Sequence, residues 1–260
     1  MNRLGMPSLL ECGGMDACLG LCESLGLGFV EMNMNLPWCQ REAQTDALCR
    51  EAGRRGLELT IHLPENLDPC EPCGGVAGAW TGVALDAGRF AARNGIPVMV
   101  MHLPQGVYFT LPDRRAYLYE RNRARYLSAL ARFRDAMAAT LAPGPTVVGI
   151  EHTGFDSPVF REGAELLLQS PAFGLAWDIG HSHSGGYRDR AFHERHLDRL
   201  AHMHLHDARG RQNHLPLGTG EVDAAAWLAL AGRRGCRVAL ETKTEEALRQ
   251  SLDWLAGSRG

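Results

Sequence analysis

The segment "RLAHMHLHDARGRQNHLPLGTGEVD", residues 199–223, places three histidines at alternate positions. Side chains two residues apart on a β-strand point to the same face, so His202, His204 and His206 are expected to point one way. A fourth histidine, His214, follows in the next loop. Either this face is solvated and the histidines share no role, or the end of the strand holds a metal ion, for which imidazole is a common ligand.

The composition is that of an ordinary globular protein. The 260 residues are 45% hydrophobic and 22% charged, with a formal net charge of −3, which gives no general attraction to nucleic acid. We found no apolar run of membrane-spanning length and no signal-peptide pattern, so we expect a cytoplasmic protein with no membrane partner. The eight cysteines are then expected to be reduced thiols, and Cys70 and Cys73 to lie in a loop without a structural zinc.

Eight short apolar stretches, each followed by a polar residue, indicate strands. They cover residues 3–7, 27–33, 57–64, 96–104, 146–153, 173–181, 200–207 and 236–243. Segments with apolar residues at helical spacing lie between them or follow the last one, at residues 45–56, 76–95, 121–141, 161–171 and 244–257. Alternating strands and helices predict parallel strands joined by right-handed crossovers.

The number of units favours a (β/α)8 TIM barrel, an α/β fold, as a single domain over residues 1–260. Eight strand–helix units in one chain of this length match that fold. An open doubly wound sheet is the alternative, but no GxGxxG follows the first strand, so its nucleotide-binding version lacks support. In a barrel, the active site lies at the C-terminal ends of the strands.

Seven of the eight predicted strand ends carry an acid or a histidine. These residues are Glu31, His62, His102, Glu151, Asp178, His204 and Glu241. Any one of them alone is explained as a satisfied polar residue at a strand end. Together they converge on the barrel axis, where carboxylates and imidazoles suit a divalent ion such as Zn²⁺ or Mn²⁺.

Several motifs together resemble the xylose isomerase-like TIM barrels, a superfamily of sugar and sugar-phosphate isomerases and epimerases that also holds endonuclease IV. The motifs are "TIHLPENL", "VMVMHLP", "GIEHTG", "WDIGHSHSGG", "HMHLHDARG", "HLPLGTGEVD" and "ALETK". The resemblance implies one ion bound by Glu151, Asp178, His204 and Glu241. It also implies proton transfer by Glu151 and Glu241 through a metal-stabilised ene-diolate, with His181 as a substrate-binding catalytic residue.

The resemblance to endonuclease IV implies a larger ligand set that holds up to three zinc ions. Its members here are His62, His102, Glu151, Asp178, His181, His204, His214 and Glu241. One further ligand position, an aspartate in those enzymes, is Gln212 here, and an amide is a poorer ligand than a carboxylate. A fuller set favours a metal-bound hydroxide that attacks a phosphodiester. The expected content is therefore one to three ions per chain.

We rank a metal-dependent isomerase or epimerase of a small sugar or sugar phosphate first. A zinc-dependent, endonuclease IV-like phosphodiesterase is second, although the acidic net charge disfavours DNA as its substrate. A non-catalytic binding protein with a closed metal site is the third hypothesis. Assembly into a homo-oligomer is left open.

Other residues near the strand ends are candidates for substrate contact. Glu31 is assigned to a sugar hydroxyl, Trp38 and Tyr108 to stacking on a sugar ring, and His206 and Asp207 to orienting ligands or substrate at the rim. One cation is expected to hold a phosphate if the substrate carries one. The candidates for that role are Arg209, Arg211 and Lys243.

Overall fold

The computed structural model describes residues 3–40, 44–142, 144–152, 154–155 and 157–257. The strands are β1 (Leu4–Pro7), β2 (Phe29–Asn33), β3 (Glu58–His62), β4 (Val98–His102), β5 (Tyr108–Thr110), β6 (Arg115–Tyr117), β7 (Val147–Glu151), β8 (Phe173–Asp178), β9 (Leu200–Leu205), β10 (Asp207–Arg209), β11 (Gln212–Leu215) and β12 (Arg237–Leu240). The helices are α1 (Met15–Ser24), α2 (Asp46–Arg54), α3 (Gly74–Asn94), α4 (Leu118–Arg121), α5 (Arg123–Leu141), α6 (Pro158–Leu168), α7 (Ile179–Ser184), α8 (Arg190–Arg195), α9 (Ala224–Arg234) and α10 (Glu245–Gly257).

Eight of these strands form a closed parallel barrel in the order β1-β12-β9-β8-β7-β4-β3-β2. The predicted single-domain (β/α)8 TIM barrel is therefore confirmed, and each predicted strand contains one barrel strand. The barrel strands are mostly buried on both faces, which explains their near-continuous apolar sequences. At Gly5 a Cβ atom would lie 2.4 Å from the ring of Phe29 on the neighbouring strand, so only glycine leaves room for this aromatic side chain.

The sixth barrel strand ends earlier than predicted. The sequence predicts a strand over residues 173–181, but β8 stops at Asp178 and the chain continues directly into α7. The Asp178 side chain accepts a hydrogen bond from the backbone N–H of His181 at 2.7 Å, and this N-cap starts the helix. The predicted strand over residues 146–153 ends at Glu151, and Thr153 lies outside the described residues.

Two small antiparallel hairpins were not predicted. The hairpin of β5 and β6 follows β4, and the hairpin of β10 and β11 follows β9. Both were expected to be loops, apart from Asp207, which was assigned to the end of the preceding strand. Their strands are only three or four residues long, which is too short for the apolar alternation that marks a half-buried strand.

None of the helices described here is both long and apolar enough to cross a lipid bilayer.

A buried polar cluster connects α7 with the start of α8. Asp189 is 1% exposed and accepts a hydrogen bond from the Ser182 hydroxyl at 2.6 Å. His193, also buried, stacks on the Trp177 indole with ring centroids 4.5 Å apart. Burial raises the pKa of Asp189 to about 6 and lowers the pKa of His193 to about 3, because it disfavours the charged form of each group.

Replacing Asp189 with asparagine is expected to change how stability depends on pH. Because the pKa of Asp189 is higher in the folded state, the stability linked to its protonation is present below about pH 4 and is lost as pH rises through about 6. Asp189→Asn should therefore gain about 2 to 3 kcal/mol relative to wild type between pH 4 and pH 8. Urea unfolding at both pH values measures this change, with the exposed Asp135→Asn as control. An equal difference at both pH values would contradict it.

Candidate metal centre and substrate cavity

A cavity of about 460 Å³ opens at the C-terminal ends of the barrel strands. Its lining is almost entirely polar. The predicted site residues among its lining are His62, His102, Glu151, Asp178, His181, His214, Glu241 and Lys243. Sequence reasoning did not predict the other four, Asn33, Glu65, Gln105 and His152. The strand-end residues therefore meet in one place, as the barrel topology requires.

His204 is buried next to the cavity and faces two of the carboxylates that line it. Its Nδ1 atom lies 3.3 Å from Oε2 of Glu151 and 3.5 Å from Oε2 of Glu241. Glu151 ends β7, and Glu241 directly follows β12. In the barrel, β12 lies on one side of β9, while β8 and then β7 lie on the other side. The other carboxylate oxygen of Glu241 lies 2.7 Å from Nζ of Lys243. This ion pair leaves Oε2 of Glu241 directed to the site.

Asp178 contributes the fourth candidate ligand, and its two oxygens have different surroundings. Oδ1 accepts the backbone N–H of His181 and lies 3.2 Å from Nε2 of His206. Oδ2 is buried and accepts no hydrogen bond from any described residue. The protein therefore holds one oxygen of this carboxylate and leaves the other available.

The unsatisfied atoms at this point fit a divalent cation. Within the described part of the chain, Oε2 of Glu151, Oδ2 of Asp178 and Nδ1 of His204 are all buried without a hydrogen-bond partner. Buried polar atoms without partners are costly, and divalent cations bound to them would remove this cost. Glu151 and His204 belong to one compact group of possible ligands, and Asp178 and Glu241 belong to another. Three carboxylates and one imidazole are a donor set that suits Zn²⁺ or Mn²⁺. Buried clusters of this kind can bind a divalent metal.

Facing imidazoles set the charge state of the buried acids. Burial alone would raise the pKa of Glu151, but His102 and His204 hold it well below its usual range. His204 and His202 do the same to the pKa of Glu31 against the same opposing effect of burial. Glu151 and Glu31 are therefore ionised at neutral pH. For Glu151, this is the form that a metal ligand must have.

A second group of possible ligands lies beside the first. Nε2 of His62 and Nε2 of His102 lie 3.6 and 3.5 Å from the same oxygen, Oε2 of Glu151. Nδ1 of His62 lies 2.8 Å from the carbonyl oxygen of Leu63 and donates to it, which leaves a lone pair on Nε2. His62 on β3 and His102 on β4, which the resemblance to endonuclease IV implies as ligands, thus both lie next to Glu151.

The third group, His181, His206 and His214, is differently arranged. Nδ1 of His206 accepts the backbone N–H of His214 at 2.8 Å, so the proton of the neutral ring lies on Nε2 and faces Asp178. Nε2 of His206 lies 3.2 Å from Oδ1 of Asp178, and its orienting role stays a prediction. His181 contacts the side chain of Asn213 at 3.1 Å, whereas Gln212 is exposed in β11.

Gly180 is required by the position of His206. A Cβ atom at Gly180 would lie 2.0 Å from the buried His206 ring, which cannot move without losing Asp178. Gly180→Ala is expected to lower the free energy of unfolding by about 1 to 3 kcal/mol or more through overpacking. Urea unfolding measures this loss. Gly78→Ala in α3, where a Cβ meets no atom within 4 Å, is the control and should be neutral or stabilising. Equal stability of both variants would contradict this account.

Asp207 does not line the cavity, contrary to its prediction as a substrate contact at the rim. It is 1% exposed, and its carboxylate accepts the backbone N–H groups of Gly218, Gly220 and Val222. A Cβ at Gly220 would lie 2.3 Å from this carboxylate. Gly220 thus lets the backbone approach Asp207 closely. Asp207 therefore organises the loop after β11.

Most of the other predicted substrate contacts also lie outside the cavity lining. Trp38 is in a short 3₁₀-helix and packs against the core, and Tyr108 is 45% exposed in β5 under the Arg115 guanidinium. Arg209 donates to the carbonyl of Thr219, and Glu31 lies below His204. Arg211 is exposed in the turn between β10 and β11. Of the three predicted phosphate-binding cations, Lys243 lines the cavity.

Two of the residues that were not predicted had a signal in the sequence. Asn33 lies two residues after Glu31, so both side chains point to the same face of β2, and Asn33 is the last residue of this strand. Gln105 lies in the loop after β4, and its Nε2 atom contacts Nδ1 of His152 at 3.3 Å. The predicted strand already ended at Asn33, so choosing its last residue in place of Glu31 would have placed Asn33 at the cavity.

The comparisons with known proteins agree with the fold. The model of the xylose isomerase-like TIM barrel family matches residues 19–257. No sequence among the curated proteins matches the chain. A D-tagatose 3-epimerase-like protein is similar over 100% of both chains, with 18% identity and a TM-score of 0.74. The apo 3-keto-D-glucoside 4-epimerase from E. coli matches 100% of this chain and 99% of its own, with 14% identity and a TM-score of 0.73.

A third solved structure was obtained with zinc. It is a protein of Thermus thermophilus soaked with ZnCl2, with 23% identity, 98% of each chain covered and a TM-score of 0.65. At these identities the solved structures establish the shared fold, while the family model covers most of the sequence. The chain therefore belongs to the xylose isomerase-like TIM barrel family.

Proposed function

We propose that the protein is a metal-dependent isomerase or epimerase of unphosphorylated sugars. The observation that carries this proposal is the position of Glu151 and Glu241, whose Oε2 atoms both lie next to Nδ1 of His204. Two carboxylates beside one metal-binding position can remove a proton from a carbon and return it from another direction. The similar solved structures include proteins titled as sugar epimerases, which supports the same reaction class.

Residues of the chain would hold the ion and the substrate in this reaction. A divalent ion bound by Glu151, Asp178, His204 and Glu241 would polarise the oxygens of the sugar. His181 accepts a hydrogen bond from Asn213 on Nδ1, so its neutral ring carries the proton on Nε2 and can donate it to a sugar oxygen. Its side chain lines the cavity, where a substrate can reach it.

The charges of the cavity favour a sugar without a phosphate. Three of the acidic lining residues surround the metal position, and Glu65 adds a further negative charge at the cavity wall. Lys243 is the sole Lys or Arg among the described lining residues, and its ammonium group is already paired with Glu241. A phosphate dianion would therefore lack an unpaired Lys or Arg side chain to bind among the described lining residues. Hydroxyl groups suit the polar side chains of Asn33 and Gln105.

One observation favours the phosphodiesterase as a second candidate. Nε2 of His62 and Nε2 of His102 both approach Oε2 of Glu151, which is the arrangement for a second ion bridged through this carboxylate. A bridging Glu151 would be less free to transfer a proton, and a bound hydroxide could instead attack a phosphodiester.

Two measurements on the purified protein decide between these functions. The first is the metal content per chain by inductively coupled plasma mass spectrometry. The second is conversion of a panel of ketoses and of a model phosphodiester by the same preparation. One manganese or zinc ion with ketose interconversion is expected. Two or three zinc ions with cleavage of the diester and no change in any sugar would reject the isomerase proposal.

A further inference from the structure

Glu31 lies inside the barrel directly beneath the candidate metal ligand His204. Its carboxylate contacts two imidazoles: Oε1 lies 2.9 Å from Nε2 of His204, and Oε2 lies 3.0 Å from Nε2 of His202. The Thr60 hydroxyl is 3.3 Å from Oε2. Glu31, Thr60 and both histidines are at most 1% exposed, so water is excluded from this group.

The contact with His204 is a hydrogen bond: Nε2 and Oε1 lie 2.9 Å apart, the usual separation of a donor and an acceptor. Nε2 of His202 lies 3.0 Å from Oε2 but makes no hydrogen bond within the described residues. The Glu31–His202–His204 group is compact enough to suggest a metal site, but Nε2 of His204 is already bonded to Glu31. Glu31 is also absent from the cavity lining, so it cannot contact a substrate in the cavity. Its chemistry therefore reaches the site through His204.

An ionised carboxylate accepts hydrogen bonds and donates none. His204 must therefore donate from Nε2 to Glu31, and its neutral ring then has its lone pair on Nδ1. Nδ1 is the atom that faces Glu151 and Glu241 and that lacks a hydrogen-bond partner in the described structure. The carboxylate fixes both the tautomer and the orientation of the ring.

We propose that Glu31 is a positioning residue that keeps the His204 proton on Nε2 and thereby presents Nδ1 to the divalent ion. This inference rests on the metal site of the proposed function, but it does not depend on which substrate is converted. His202 lies against the other oxygen of the same carboxylate, with Nε2 3.0 Å from Oε2. A residue of this kind strengthens metal binding, because a negative hydrogen-bond acceptor makes the ligand more basic.

Glu31→Gln tests this role with nearly the same side-chain volume. The amide has no negative charge, and its NH2 group cannot accept a hydrogen bond from an imidazole N–H. Zinc affinity, measured by competition with a chromogenic chelator, is expected to fall about 10- to 100-fold. The control is Glu58→Gln, which removes a carboxylate at the opposite end of the neighbouring strand β3, where it pairs with Arg237. Glu58→Gln should leave zinc affinity unchanged. Unchanged affinity in folded Glu31→Gln would overturn the proposal.

A measurement on the wild-type protein covers the case in which Glu31→Gln does not fold. Long-range ¹⁵N–¹H NMR of histidine-labelled, zinc-loaded protein distinguishes the two nitrogens of His204, assigned by comparison with His204→Gln. The expected result is a zinc-bound Nδ1 and a protonated Nε2. A zinc-bound Nε2 with the proton on Nδ1 would overturn the proposal. Lack of sugar conversion would reject the proposed function without changing either of these results.

Discussion

Glu241→Gln is expected to lose at least about 1,000-fold in the rate of sugar interconversion while remaining folded. The substitution keeps the size of the side chain but removes the charge that binds the ion and the base that accepts the proton. Glu151→Gln is expected to lose activity to a similar extent, because the proposed reaction needs one carboxylate on each side of the site. The folded barrel should persist in both variants, since neither carboxylate supports the apolar core.

The measurement is the turnover rate at saturating metal, with unfolding monitored in parallel. Glu65→Gln provides the matched control, because Glu65 lines the same cavity but lies outside the metal-ligand groups found among the described residues. Its turnover should stay within about tenfold of wild type, since it affects only binding of the substrate. Full activity of Glu241→Gln would reject the proton-transfer mechanism.

Asp178→Asn is expected to weaken binding of manganese or zinc by about 100-fold or more. Altering an outer-shell partner of a ligand weakens binding by about 10- to 100-fold, and loss of the ligand itself should have at least the larger effect. The asparagine oxygen can still accept the His181 N–H, as Oδ1 does now, and can keep the 3.2 Å contact with Nε2 of His206. The amide group then replaces Oδ2, the buried oxygen left without a hydrogen bond in the described structure. The ligand is lost while the contacts that shape α7 are kept.

Isothermal titration of the metal-free protein with MnCl2 or ZnCl2 measures this effect. The control is Asp189→Asn, which replaces a buried aspartate that α7 also contacts, through Ser182, but that belongs to no candidate ligand group of the described residues. Its metal affinity should equal that of wild type. An Asp178→Asn variant that binds the ion normally would show that Asp178 is a structural residue alone.

The sequence predicted the position of Glu151, Asp178 and Glu241 because parallel strands bring their C-terminal ends together. Once eight strands are recognised, this convergence follows from topology and needs no knowledge of side-chain packing. The prediction failed for Glu31 because an acid was chosen as the site residue over Asn33, the last residue of the predicted strand. The strand does end at Asn33, which places Glu31 two residues below the cavity and in contact with His202 and His204.

The residues after β9 show a second limit of sequence reasoning. Asp207 was expected at the rim because a polar residue at a strand end usually faces the site. Its partners are the backbone N–H groups of Gly218, Gly220 and Val222, more than ten residues further along the chain. No local sequence pattern predicts such a contact, because every residue type except proline supplies a backbone N–H.

The measurement that tests the central claim most directly is deuterium incorporation from solvent. Metal-loaded wild-type protein would be incubated in D2O with unphosphorylated ketoses, and the recovered sugars analysed by mass spectrometry and NMR. Proton transfer by Glu151 and Glu241 predicts one carbon-bound deuterium in the product of a ketose that is interconverted, and none with Glu151→Gln or Glu241→Gln. No carbon-bound deuterium in any sugar, together with cleavage of a phosphodiester by the same preparation, would contradict the account.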